Sequence, residues 1–139
     1  MFSMLHKKLP TFAEILYFMK QLIISLSFFL TSLYTTAQQK ISIEKASEHE
    51  GDSVIICSKV YGGKFFLNRE PTITLLNVGA AYPNSLLTIV IKGENRAAFI
   101  NKPEEFYSNK EICVTGRIRI FKGKPEIEIF SEKAITINN

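Results

Sequence analysis

Two short stretches of this chain interleave cations with aromatic rings. The first, YGGKFFLNREP (61–71), carries Tyr61, Lys64, Phe65, Phe66 and Arg69, and the second, RIFKGK (119–124), carries Phe121, Lys122 and Lys124. Such mixtures hold single-stranded nucleic acid, because cations follow the phosphates while rings stack on bases for about 1–3 kcal/mol per base. Tyr82 and Arg96, on either side of the run LLTIVIK (86–92), extend the same candidate rim. A plainer use of these residues stays open: Phe65 and Phe66 as caps on a hydrophobic core, the lysines as solvation. Arg117 and Arg119 read as the solvated side of a hairpin, with Glu128 as the cross-strand carboxylate of Arg119, a contact worth roughly 0.2–1 kcal/mol.

Catalytic chemistry has little to work with. Past residue 37 there is one histidine, His49, and one aspartate, Asp52, and no nucleophile stands beside a base at a spacing that organises a triad. His49 reads as structural, closing the turn before the first strand. Cys57 and Cys113 are far apart and have no histidine spaced beside them, so they lack the ligand density zinc requires. No metal or cofactor is expected, and the chain is not read as an enzyme. Glu104 and Glu105 follow Pro103, a placement that suits a helix start, where carboxylates complement the dipole, better than a metal-dependent nuclease.

The elements that must position these residues are mostly strands. Ile112, Val114, Gly116, Ile118 and Ile120 alternate with Cys113, Thr115, Arg117, Arg119 and Phe121, the period-two pattern of a strand with one buried face. The pattern resumes past Gly123 with Ile127 and Ile129 against Glu126, Glu128 and Phe130. A hairpin turning at Gly123 and Lys124, where glycine supplies the positive φ, sets Lys122 opposite Pro125 and Arg119 opposite Glu128. Earlier strands are expected at 53–60, 72–78 and 86–92, with a helical turn at 45–52 and a short tail at 134–138. Residues 61–71 read as a loop with Gly62-Gly63 as its turn signal, and 79–85 as turn-rich. Residues 93–109 are the internal segment able to carry helix, in short pieces because of Pro103. In the central strands Ile73, Leu75, Leu87, Ile89 and Ile91 are expected to point inward. That leaves Thr72, Thr74, Leu76, Thr88, Val90 and Lys92 outside, a face without an aromatic ring.

Cys57 lies on the polar parity of its strand, as Cys113 does on its own. The two can face each other from neighbouring antiparallel strands and form a disulfide, with two separate half-buried thiols as the alternative. Five strands with a helix-bearing third-to-fourth connection match an all-β, five-stranded Greek-key barrel, the OB-fold. Closure removes the edges that invite aggregation. An SH3-like or other open barrel is the competing architecture.

Three phrases resemble the exported bacterial OB-fold domains of the nucleic-acid-binding type: EKASEHEGDSVIICSKV (44–60), YPN (82–84) with LLTIVI (86–91), and KEICVTGRIRIFKGKPEIEI (110–129). The resemblance covers about residues 44–138 and implies an OB-fold and, beyond it, binding of nucleic acid or a related polyanion. Ser58 stands where that family is expected to have glycine, which bears on the local bend of the first strand.

Ahead of this domain, Met19-Lys20-Gln21, the apolar run LIISLSFFLTSLY (22–34) and Thr35-Thr36-Ala37 read as a secretory signal cut after Ala37. An uncleaved membrane anchor is the alternative. Met19 is the expected start, with 1–18 as an over-long extension, so 1–37 is set apart from a single domain at 38–139. Removing Lys7, Lys8, Lys20 and Glu14 from the 17 basic and 13 acidic side chains leaves 14 against 12, a net charge of +2. Anion binding would therefore come from local clustering rather than a global field. The expectation is a periplasmic or extracellular module, not integral to the membrane after cleavage, that binds single-stranded DNA or another polyanion through the strand 1–2 and 4–5 loops. An envelope protein-interaction module using the strand 2–3 face is the alternative, and an envelope nuclease is third.

Overall fold

The computed structural model describes residues 8–30 and 38–138. It divides between Ala37 and Gln38 into two units, each described by itself. In the first, helix α1 spans Phe12–Leu30. It takes in the end of the upstream extension and the start of the apolar run, while the cleavage position after Ala37 lies outside the described residues. Among the described residues no helix is long and apolar enough to cross a membrane.

The second unit is mostly strand: β1 Gln39–Ile41, β2 Ser53–Phe66, β3 Ile73–Val78, β4 Leu87–Lys92, β5 Glu111–Phe121, β6 Lys124–Glu128 and β7 Ile135–Ile137. The pairings β2–β3, β3–β4, β4–β6, β6–β5 and β5–β2 close into a five-stranded barrel, with β4–β6 its parallel pair. β1 lies parallel along β2, and β7 antiparallel along β5. Short 3-10 segments, Ile43–His49 and Gly93–Ala98, and the short helix α2, Pro103–Phe106, occupy connections. A closed five-stranded barrel with a few short helices fits the OB-fold. Its core lies wholly between Ile41 and Ile135, with Val54, Ile56, Leu76, Ile89, Ile112 and Ile127 at 1% exposure or less, so the unit carries its own hydrophobic centre. Burying each such side chain is worth about 1.5–3 kcal/mol.

Four local expectations are corrected. β2 does not end at Val60; it runs on to Phe66, so Tyr61, Lys64, Phe65 and Phe66 are strand residues, and the β2–β3 loop starts at Leu67. The Gly62-Gly63 pair makes a bulge, not a turn. Val60 pairs with Val78 and Gly63 with Leu76, which leaves one extra residue on β2, and Gly62 takes φ 128°, a conformation that favours glycine. A Cβ on Gly63 would come within 2.7 Å of the Leu75 carbonyl oxygen, so the strands approach too closely there for a side chain. The bend that Ser58 put in question is supplied at this bulge, while Ser58 itself pairs regularly with Ile112.

The bulge also decides which residues of β2 face inward. Val54, Ile56 and Val60 are buried, and continuing their parity would turn Lys64 and Phe66 inward. The extra residue reverses this: Phe65 pairs with fully buried Thr74, while Lys64 and Phe66 pair with half-buried Leu75 and Ile73. The second correction follows. Thr74, Leu76 and Val78 of β3 face the core, opposite Ile91, Ile89 and Leu87, so Ile73 and Leu75 face outward. TITLLNV is apolar on both parities, and only registry with β4 separates them.

The third correction is the hairpin. Phe121 pairs with Lys124 and Arg119 with Glu126, so Lys122 and Gly123 are the central turn residues, at φ 50° and 78°. Two positive φ values are what a two-residue turn matched to strand twist demands. The pairing moves by two residues from the expected register, which leaves every side chain on its expected face. The fourth is Val90: it keeps the outer parity, paired with half-buried Leu75 and with Glu128 and outside the hydrophobic core, yet it is 1% exposed.

The cysteines behave as their parity required. Cys57 and Cys113 are direct cross-strand partners in the β2–β5 ladder and form a disulfide, S–S 2.00 Å. His49 lies at the end of its 3-10 segment, with Nδ1 3.1 Å from the Asp52 carboxylate, and its carbonyl accepts from the Asp52 N–H, closing the turn into β2.

Candidate nucleic-acid interface

The outer faces of β3 and β4 form a strip with a cationic and aromatic rim at each end. The first rim is the end of β2 and the loop after it. Phe66 lies between two cations, with the Lys64 ammonium 5.2 Å and the Arg69 guanidinium 4.9 Å from its ring centre. Residues 64–69 line a shallow cavity of about 330 Å³, and Leu67 stands 68% exposed beside it. This arrangement comes from the bulge, which turns Lys64 and Phe66 out together.

The second rim is the β5–β6 hairpin tip with the β3–β4 connection. Lys124 donates from Nζ to the Pro83 carbonyl, tying the tip to that connection. Tyr82 stands 81% exposed next to it, and half-exposed Phe121 carries the Lys122 ammonium 5.5 Å from its ring centre. Among the described residues, Lys64, Arg69, Lys122 and Lys124 have no carboxylate in ion-pair range. Tyr61 sits at the bulge, half exposed, with the Lys59 ammonium 5.3 Å from its ring centre.

Two predicted site residues have other duties. Phe65 points toward the barrel end, where the Arg96 guanidinium stacks 4.0 Å from its ring centre. Arg96 in turn donates to both carboxylate oxygens of Glu104, at 2.8 and 2.9 Å, and to the Thr74 hydroxyl at 2.6 Å. These four groups plug one end of the barrel. The Arg96 hydrogen bonds hold the Glu104 carboxyl below its ordinary range, against the opposing effect of burial. Phe65 thus lies under Arg96 at the barrel end, while Phe66 takes the opposite side. Of the two hairpin arginines, Arg117 donates to the Gly51 carbonyl at 2.9 Å, and Arg119 pairs with carboxylates.

The Glu128 contact of Arg119 is the expected one, while its second carboxylate, Glu126, and the link to Lys92 are features sequence reasoning missed. Arg119 contacts Glu126 at 3.1 Å and Glu128 at 3.2 Å, and Glu128 also takes the Lys92 ammonium at 2.8 Å. Glu126 and Glu128 share the outward parity of β6 that Lys92 has on β4, which was the available signal. Without the β4–β6 pairing it carried no meaning, because those strands are distant in sequence. Among the described residues no group of three or more histidine, cysteine or acidic side chains is placed to hold a metal ion.

No protein-family model and no curated protein matches the chain. Among solved structures, it is similar to one of yeast Stn1 and Ten1, with a TM-score of 0.53 and 14% identity over 78% of this chain and 67% of that one. It also matches a candidate aspartyl-tRNA synthetase from Leishmania major Friedlin, with a TM-score of 0.47 and 11% identity over 76% of this chain. The chain spans 22% of that synthetase's length. At this identity the yeast neighbour supports the OB-fold, as the barrel does.

Proposed function

We propose that residues 38–139 form a binding module for single-stranded nucleic acid. The observation that carries this reading is the set of four cations without carboxylate partners, Lys64, Arg69, Lys122 and Lys124, grouped with Phe66, Phe121 and Tyr82 at the two ends of one barrel face. Cations without carboxylate partners supply the phosphate contacts, and the rings, Tyr82 and Phe121 exposed and Phe66 half-buried, supply sequence-tolerant stacking. The module acts outside the cytoplasm in this proposal. The apolar run at 22–34 and the Cys57–Cys113 disulfide support export, since disulfides persist in oxidising compartments.

Fluorescence anisotropy of residues 38–139 with a labelled ten-residue oligothymidylate tests it. Saturable binding at low salt is expected, weakening as salt rises because phosphate contacts release counterions. Lys64→Glu with Lys122→Glu should abolish it. Phe66→Ala should cost about 1–3 kcal/mol, one stacked base. Binding that ignores both salt and the double substitution would remove the proposal. A second reading rests on the neutralised stretch between the rims and half-buried Ile73 and Leu75: a protein partner from the cell envelope, bound with little salt dependence.

A further inference from the structure

The stretch between the rims, which starts level with the first at Lys92 and runs along β6, is built differently from them. Lys92, Glu128, Arg119 and Glu126 form one connected chain of ion pairs, two cations against two carboxylates, so their formal charges cancel. The carboxylates are the sunken members: the Glu126 and Glu128 side chains are 12% and 15% exposed, against 39% and 47% for Lys92 and Arg119. Each cation is therefore held from below by an acid that cannot swing away into solvent. A phosphate arriving over this stretch would meet cations already neutralised and two fixed negative charges behind them.

The separation of the rims follows from the register. Phe66 pairs with Ile73, and Ile73 with Lys92, so the first rim is level with Lys92 on β4. Thr88 pairs with Glu126, and Lys124 lies two residues before Glu126, so the hairpin tip is level with Leu86. Six residues of strand at about 3.3 Å each put the rims roughly 20 Å apart along β4. At about 3.4 Å per stacked nucleotide that is roughly six nucleotides, and fewer when the strand is stretched. The span lies within the about 4–16 nucleotides that OB barrels cover.

Resting on the nucleic-acid reading above, we infer that the interface is bipartite: a single strand is gripped at two rims roughly 20 Å apart, and Glu126 and Glu128 keep the stretch between them neutral, so binding requires a minimum strand length. Glu126 and Glu128 are then specificity-determining residues that act through Lys92 and Arg119 and touch no ligand. They disfavour polyanions that would lie along the whole strip and favour a strand anchored at its two ends.

Anisotropy on residues 38–139 with oligothymidylates of three, six and ten residues, at several salt concentrations, tests this. For the unmodified domain, affinity should rise at least tenfold between the three- and six-residue strands and little from six to ten. Glu126→Gln with Glu128→Gln should release two cations. Affinity for all three lengths should then rise several-fold, the length step should shrink, and the salt slope should steepen by about 1.4, at about 0.7 per added phosphate contact. The single substitution Glu128→Gln, which frees Lys92 while leaving Glu126 on Arg119, gives a smaller shift in the same direction should the double variant melt below the assay temperature. A domain that binds with smoothly growing affinity, and glutamine variants that bind no better than the parent, would overturn the bipartite interface while leaving nucleic-acid binding intact. No binding by the parent at low salt overturns both.

Discussion

Phe65 and Phe66 are neighbours in the chain and opposites in the structure. Phe65 goes to the plug at the barrel end, under Arg96 and beside buried Thr74. Phe66 goes to the rim, between Lys64 and Arg69. In each place an aromatic ring meets arginine, yet the plug arginine is spent on a carboxylate and the rim arginine is not. The difference teaches that a basic-aromatic pattern names candidates without sorting them. What sorts them is whether the fold brings an acid within reach, and which way one bulge turns the strand.

The largest expected break of this contrast is at the plug. Arg96→Ala leaves the Glu104 carboxylate, 14% exposed, without its partner, and should cost about 3–5 kcal/mol in chemical denaturation. The matching change at the rim, Arg69→Ala, should alter stability by less than about 0.5 kcal/mol. Equal losses at the two sites would mean that plug and rim are not distinct.

A smaller loss is expected at the bulge that separates the two rings. In Gly63→Ala the new methyl meets the Leu75 backbone oxygen and the Leu76 side chain, both at 2.7 Å. The strands must part, for about 1–3 kcal/mol of overpacking strain. Oligonucleotide affinity should fall with it, because Lys64 and Phe66 are set by the same register. Lost stability with unchanged affinity would separate the bulge from the rim.

The smallest effect is acid sensitivity of the plug. Glu104 ionises at lower pH in the folded chain than in the unfolded one, so its contribution is complete above about pH 4.5 and drains away as pH falls through the lowered folded value. Melting temperature should therefore drop more steeply below that pH in the parent than in Arg96→Ala, where the shift has lost its main cause. Parallel acid limbs would show that Glu104 is not held by Arg96.

Much of the barrel was legible because strand alternation is local. Ile112, Val114 and Ile118 against Cys113, Arg117 and Arg119 needed no partner strand to be read, and the shared parity of Cys57 and Cys113 led to their disulfide. The hairpin reading survived a shift of two residues because a period of two returns each side chain to its own face. Less of the candidate site could be read. Gly62-Gly63 has the composition of a turn, and the choice between turn and bulge depends on whether β3 is there to continue the ladder. TITLLNV presents apolar residues on both parities, so its inward face waits on Ile89 and Ile91 across the ladder.

Residue types and their alternation thus suffice for the presence of the barrel strands, the cross-linked pair and the list of cations and rings, since each of these depends on near neighbours along the chain. Which cations are free is another matter. Arg119 meets Glu126 and Glu128 within the β5–β6 hairpin, but Lys92 meets Glu128 and Arg96 meets Glu104 only once the barrel has closed and the connection after β4 has folded across its end. Ion pairing is a contact over a few ångströms, and contacts between β4 and β6 at that range are decided by barrel closure rather than by sequence spacing.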